Sequence, residues 1–307
     1  MKIIVAIDGS QGSEATVDAL ENIQLASGTE VKLLIVIEPY KDALVLATEA
    51  LKGMSEELQK RLVGCTVTYE VAQGDAKSQI TEIAKQWSAT LIIMGSRGKK
   101  GLELMLMGSV SQGVLTQAPC PVIIAKTSDV KNIKNGFKNI LITVDNSDFS
   151  QAALSWLSGI QWGPNTQFKL VTIVQPLVDS FDSVGNITDA TLLTRQHDDL
   201  IELAKTELDK LATELATSVG QQNVTNEVGE GEPKDAILNI AAAWSADLIV
   251  MGSHGRTGLD KLLLGSVSQA VALHAPCSVA IVRGIITKGQ NKQRQTGLFS
   301  SMPKVNG

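Results

Sequence analysis

Two short runs carry the residues best suited to chemistry. Met94-Gly95-Ser96-Arg97-Gly98 is followed, after nine residues, by Gly108-Ser109-Val110-Ser111-Gln112. Met251-Gly252-Ser253-His254-Gly255 is followed at the same distance by Gly265-Ser266-Val267-Ser268-Gln269. Glycine lets main chain come close to a ligand, and the unpaired N–H groups of a helix N-terminus point at an anion. The chemistry implied is phosphate binding by main chain. Side-chain cations lie within reach: Arg97, Lys99 and Lys100 in the first loop, His254 and Arg256 in the second. Glycines after strands also simply turn the chain, serines before helices also simply cap it, and loop cations are commonly solvated. The same spacing twice in one chain favours the ligand.

Each run follows an apolar stretch, Leu91-Ile92-Ile93 or Leu248-Ile249-Val250, which reads as a buried parallel strand. Each second segment opens a helical pattern, with Ser109 and Ser266 expected as N-caps. Two further positions belong to the same place. Asp8 and Asp145 end the first strand of their halves and offer a carboxylate to an adenine amino group or a ribose hydroxyl, or else cap the following turn. Val36 and Ile173 end the second strand, where main chain can bond a purine edge and the side chain can pack on its face, as well as serving the core. If the strands run 3-2-1-4-5, their order reverses between strands one and four. Carboxylate and glycine loop then meet in one crevice beyond the strand ends.

The elements that must build this crevice occur twice. Ile4-Val5-Ala6-Ile7-Asp8 matches Leu141-Ile142-Thr143-Val144-Asp145 at an offset of 137, and the glycine loops, Trp87 and Trp244 match at 157. The second half therefore carries 20 extra residues. They fall in a Ser-, Asp- and Gly-rich loop at 179–189 and in a lengthened helix at 189–218. In the first half strands are expected at 3–7, 31–37, 65–71, 91–94 and 122–125, with residues 65–71 at an edge. Helices are expected at 13–26, 42–63, 77–87 and 109–116. Such alternation predicts an α/β fold: two tandem doubly wound domains, each a five-stranded parallel sheet with helices on both faces. The domains are expected at 1–127 and 139–285, with a polar linker at 128–138 and a disordered tail at 286–307. The last strands are apolar edges, so the domains are expected to pair through them as an internal pseudo-dimer.

Composition narrows the classes. With 44% apolar and 19% charged residues over 307, the chain is globular. Aromatics at 4% and a net charge of −5 argue against nucleic acid as a partner. Three scattered cysteines make neither a disulfide framework nor a zinc site, and Cys120 and Cys277, in matching Ala-Pro-Cys segments, read as small buried hydrophobes. No apolar run reaches membrane-spanning length and Asp8 comes too early for a signal peptide, so a soluble, cytoplasmic protein is expected.

On these residues the chain resembles a tandem universal stress protein. The nucleotide-binding members of that family carry Gly-x2-Gly-x9-Gly-Ser/Thr and an aspartate after the first strand, and both halves match. The resemblance covers about residues 1–126 and 138–283. It implies ATP bound in each half, with Mg2+ or Mn2+ held through the phosphates, and a role in stress tolerance. It also implies pairing of the halves through their fifth strands and leaves room for a further homodimer. The halves differ at Gly9 against Asn146, Arg97 against His254, and Lys99-Lys100 against Arg256-Thr257, so unequal sites are expected. Efficient catalysis is not expected. There is neither a Walker-type Gly-Lys-Ser/Thr run nor a His-Asp pair with motif spacing, and Asp8 belongs to the base and ribose end. The alternatives are a slow ATPase or phosphotransferase on the same crevice, or an interaction module with empty pockets.

Overall fold

A computed structural model describes residues 1–9, 12–38, 41–96, 107–126, 136–176, 190–255 and 264–283. The first half runs β1 (Lys2–Ala6), α1 (Gly12–Glu21), β2 (Glu30–Ile37), α2 (Lys41–Arg61), β3 (Thr66–Gln73), α3 (Ala76–Gln86), β4 (Leu91–Gly95), α4 (Ser109–Gln117) and β5 (Val122–Ala125). The second half repeats it as β6 (Asn139–Thr143), α5 (Asp148–Ser158), β7 (Gln167–Val174), α6 (Ala190–Val219), β8 (Val224–Glu230), α7 (Pro233–Ala243), β9 (Leu248–Gly252), α8 (Ser266–His274) and β10 (Ser278–Val282). Unbroken Ile, Leu and Val runs make β1, β4, β6 and β9 fit only strands covered on both faces, and Ile3, Ile4, Val5, Ile92 and Ile93 are fully buried.

All ten strands form one sheet in the order β3-β2-β1-β4-β5-β10-β9-β6-β7-β8. Within each half the neighbours are parallel, and the expected 3-2-1-4-5 order appears twice. The halves meet where β5 and β10 pair antiparallel, with Val279 opposite Ile124, Ala280 opposite Ile123 and Ile281 opposite Val122. Those pairs are related by a local two-fold through Ile123 and Ala280, so each edge covers the other. One core lies under α1, α2, α5 and α6, and the other under α3, α4, α7 and α8.

Two expectations change. Helix α1 ends at Glu21 and not Ala26: Phe137 N–H donates to the Asn22 carbonyl at 3.4 Å, and Gln24 bridges Gln161 of the second half. The linker is not polar to its end. Phe137 is 2% exposed, packs edge-on to Trp162, and its carbonyl accepts from Thr166 Oγ1 at 2.7 Å. The helix expected from residue 189 is present as α6, at 30 residues against 21 in α2. The inserted loop at 179–189, most of the linker and the tail lie outside the described residues.

Candidate functional site

Strands β1 and β4 are neighbours, with Ala6 paired to Met94, so Asp8 and Ser96 leave the sheet at the same edge. The helix after β1 packs on one face of the sheet and the helix after β4 on the other. A crevice therefore opens between the two connections, at the reversal of strand order, and β6 and β9 build its counterpart.

The carboxylates are held by the turns that follow them. In the first half the Ser13 hydroxyl donates to Asp8 Oδ1 at 3.3 Å and accepts the N–H groups of Asp8 and Gly9. In the second, Asp145 Oδ1 accepts from Ser147 N–H at 3.1 Å and from Ser147 Oγ at 2.6 Å. Ser147 is itself the N-cap of α5, taking the Ser150 N–H at 3.1 Å. Gly9 and Asn146 both adopt a left-handed backbone, φ 72° and 61°, a conformation that asparagine tolerates better than most residues. The two residues thus share one backbone conformation despite the difference in side chain. The other oxygen, Asp145 Oδ2, lies against the glycine loop: a Cβ on Gly255 would sit 2.9 Å from it. The carboxylate and the loop thus meet in the second half.

The helices α4 and α8 open without a side-chain cap. Their N-caps are Gly108 and Gly265, in extended backbone, and not Ser109 and Ser266, which take the first helical position. Crowding explains the choice, since a Cβ on Gly265 would lie 3.2 Å from the Ser253 carbonyl oxygen and 3.3 Å from His254 Cα. Gly108 N–H donates to Ser96 O and Gly265 N–H to Ser253 O, each at 2.9 Å, which pins the helix start to the strand end. Ser111 and Ser268, both buried, add a second tie by donating to the Gly95 and Gly252 carbonyls at 2.9 and 2.8 Å. The first-turn amides of Ser109, Val110 and Ser111, and of Ser266, Val267 and Ser268, begin helices whose N-cap glycines have no side chain to take up their orphan N–H groups.

The model of the universal stress protein family matches residues 1–126 and again 136–283. The chain belongs to the universal stress protein family. A putative universal stress protein of Staphylococcus epidermidis is 33% identical over 148 residues, which is 48% of this chain and 84% of that protein. A crystal structure of a universal stress protein from Archaeoglobus fulgidus covers 92% of this chain and 96% of its own, with a TM-score of 0.60 at 20% identity. A putative universal stress protein from Pseudomonas aeruginosa covers 92% of each chain at a TM-score of 0.61 and 17% identity. At those identities the two structures share the fold.

In this tandem universal stress protein the expected site residues separate by what surrounds them. Asp145, Gly255, Gly265 and the α8 N-terminus come together, as do Asp8, Gly95, Gly108 and the α4 N-terminus at the matching edge. Val36 and Ile173 are half-buried at the ends of β2 and β7, against the core under α3, α4, α7 and α8. Met94 and Met251 are buried in that same core, so only their main chain is left for a ligand. Gly252 has a packing reason of its own, since a Cβ there would lie 2.7 Å from the Phe149 carbonyl carbon. His254 is not a solvated loop cation. It is 7% exposed, its ring is 4.8 Å from that of Phe149, and its Nδ1 is 3.0 Å from Ser253 Oγ. Its Nε2 is buried without a partner. Sequence reasoning missed Phe149, an apolar residue in the first turn of α5 whose only signal was its difference from Gly12 at the matching place. Arg97, Gly98, Lys99, Lys100, Arg256 and Thr257 lie outside the described residues.

Proposed function

We propose that each half binds an adenine nucleotide, ATP foremost, and that the chain works as a stress-response regulator with little or no catalysis. One observation carries this reading: an acceptor carboxylate, Asp145 Oδ2, lies against Gly255 beside a helix N-terminus whose N-cap is a glycine with no side chain. The orphan amides of α8 offer donors to phosphate oxygens, and the positive end of the helix favours their charge. Asp145, held by Ser147 through its other oxygen, is suited to accept from a ribose hydroxyl or the adenine amino group. Ile173 supplies an apolar wall for the base. Asp8, Val36 and the α4 N-terminus are the same parts in the first half. Mg2+ or Mn2+ would be carried on the phosphates.

The buried hydroxyls of that first turn, Ser111 and Ser268, already donate to carbonyl oxygens, and the aspartates belong to the other end of the nucleotide. Neither is a base placed to activate water at a terminal phosphate. The test is mass spectrometry of small molecules released from denatured protein, followed by calorimetric titration with ATP and Mg2+ and a phosphate-release assay. Adenine nucleotide at up to two per chain with negligible turnover is the expected result. Absence of any nucleotide binding overturns the reading, and rapid turnover replaces it with the ATPase alternative.

A further inference from the structure

The residue after each half's last strand is a cation, Lys126 after β5 and Arg283 after β10, at the same repeat offset of 157. Both reach across the seam. Lys126 Nζ donates to the carbonyls of Leu273 at 3.1 Å and Ala275 at 2.7 Å, at the C-terminus of α8. Arg283 Nη2 donates to the carbonyls of Leu115, at 2.9 Å, and Thr116, in the last turn of α4. These are carbonyls that a helix leaves without an internal partner. The helices gripped this way are the two whose N-termini open on the crevices. Each is nine residues long, so its ends lie only about 13 Å apart. A cation at the C-terminus offsets the negative pole and leaves the positive pole at the N-terminus less opposed. Each cation also stands one residue beyond the carbonyl that holds its own half's loop: Ser96 N–H donates to Ala125 O at 3.1 Å and Ser253 N–H to Val282 O at 2.9 Å.

We infer that Lys126 and Arg283 are crossed positioning residues: Lys126, in the first half, supports the anion-facing helix of the second site, and Arg283 supports that of the first. The two sites are thereby coupled through the seam. The inference rests on the nucleotide reading for the ligand, and on the contacts alone for the crossing. Loss of one cation should weaken ATP roughly two- to fivefold at the opposite site and leave the site of its own half nearly unchanged. A cation that merely glued the halves together would affect both sites alike.

The experiment uses the full chain with Lys126→Met and Arg283→Met, and Lys126→Arg as the conservative control. Amide exchange read by mass spectrometry reports α4 and α8 separately, first without ligand and then across a titration with ATP and Mg2+. Expected without ligand is faster exchange in α8 for Lys126→Met and in α4 for Arg283→Met, with protection restored in Lys126→Arg. Expected with ATP is the same crossed pattern in the midpoints. If a methionine variant does not fold, Lys126→Gln and Arg283→Gln, which keep one donor and lose the charge, give the same reading. Uniform or uncrossed changes overturn the inference. If the wild type shows no response to ATP the nucleotide reading fails, while the ligand-free pattern still decides the crossing.

Discussion

Gly255 offers the sharpest perturbation because its neighbour is known. Its backbone lies outside the left-handed region, so alanine brings no backbone strain. The new Cβ, however, would sit 2.9 Å from Asp145 Oδ2, well inside the heavy-atom optimum of about 3.5–4.0 Å. Asp145 cannot swing away freely, because its other oxygen is held by Ser147 N–H and Oγ. Either those bonds weaken, at about 0.5–1.5 kcal/mol each, or the loop shifts, at about 1–3 kcal/mol for an overpacked contact. Gly255→Ala should therefore lower Tm by a few degrees and weaken ATP at the second site. Gly255→Asp adds a second carboxylate within about 4 Å of the first, a repulsion between about 1 kcal/mol in water and 4 kcal/mol near a protein surface. Since Gly255 is exposed, the lower part of that range applies, with repulsion of the phosphates added to it. Each 1.4 kcal/mol is about a factor of ten in affinity, so calorimetry should show the second site weakened about tenfold or more with the first site intact. A folded Gly255→Asp protein that still titrates two sites at wild-type affinity would falsify the placement of the nucleotide.

Two further outcomes follow from the seam and from the buried thiols. Ile124→Asp with Ile281→Asp places carboxylates at positions only 0% and 1% exposed, on either side of the local two-fold. The pair should lose several kcal/mol, in the range of large core truncations of about 2–5 kcal/mol each. Solution scattering should show separated or aggregated halves, and unchanged, monodisperse scattering would count against the paired edges. Burial pushes the Cys120 and Cys277 thiols from 9.0 up to about 12, and Cys65 is also raised by burial. The folded pKa exceeds the unfolded one, so the stability these groups contribute is full below about pH 9 and is lost as pH rises toward 12. Thiol reagents at pH 8 should label Cys120 and Cys277 only as fast as the protein opens, and rapid labelling of the native state would refute their burial.

Much of the fold could be read locally because each signal stays within one repeat. The Ile-Leu-Val runs of β1, β4, β6 and β9 set the strands, and the glycine loop and Asp8 or Asp145 set which strand ends must meet. The apolar edges Val122–Ala125 and Ser278–Val282 set the seam. What escaped has a partner elsewhere. The apolar period of α1 continues through Ile23, yet the helix stops where Asn22 and Gln24 are taken by Phe137 and Gln161. Ser109 and Ser266 are good caps by type, but the cap positions are Gly108 and Gly265, and at Gly265 a side chain would be crowded by Ser253 O at 3.2 Å. His254 looks like a phosphate ligand by type and loop. Its ring is buried against Phe149, more than a hundred residues earlier. Lys126 and Arg283 read as ordinary charges at the end of a strand. Contacts between repeats leave no period in either repeat. Their trace in sequence is that a cation recurs at the same offset as the glycine loops, directly after the last strand of each half. A duplicated charge just past the last strand of each half was therefore the signal available for the seam, and it points to the helix termini that the two halves exchange.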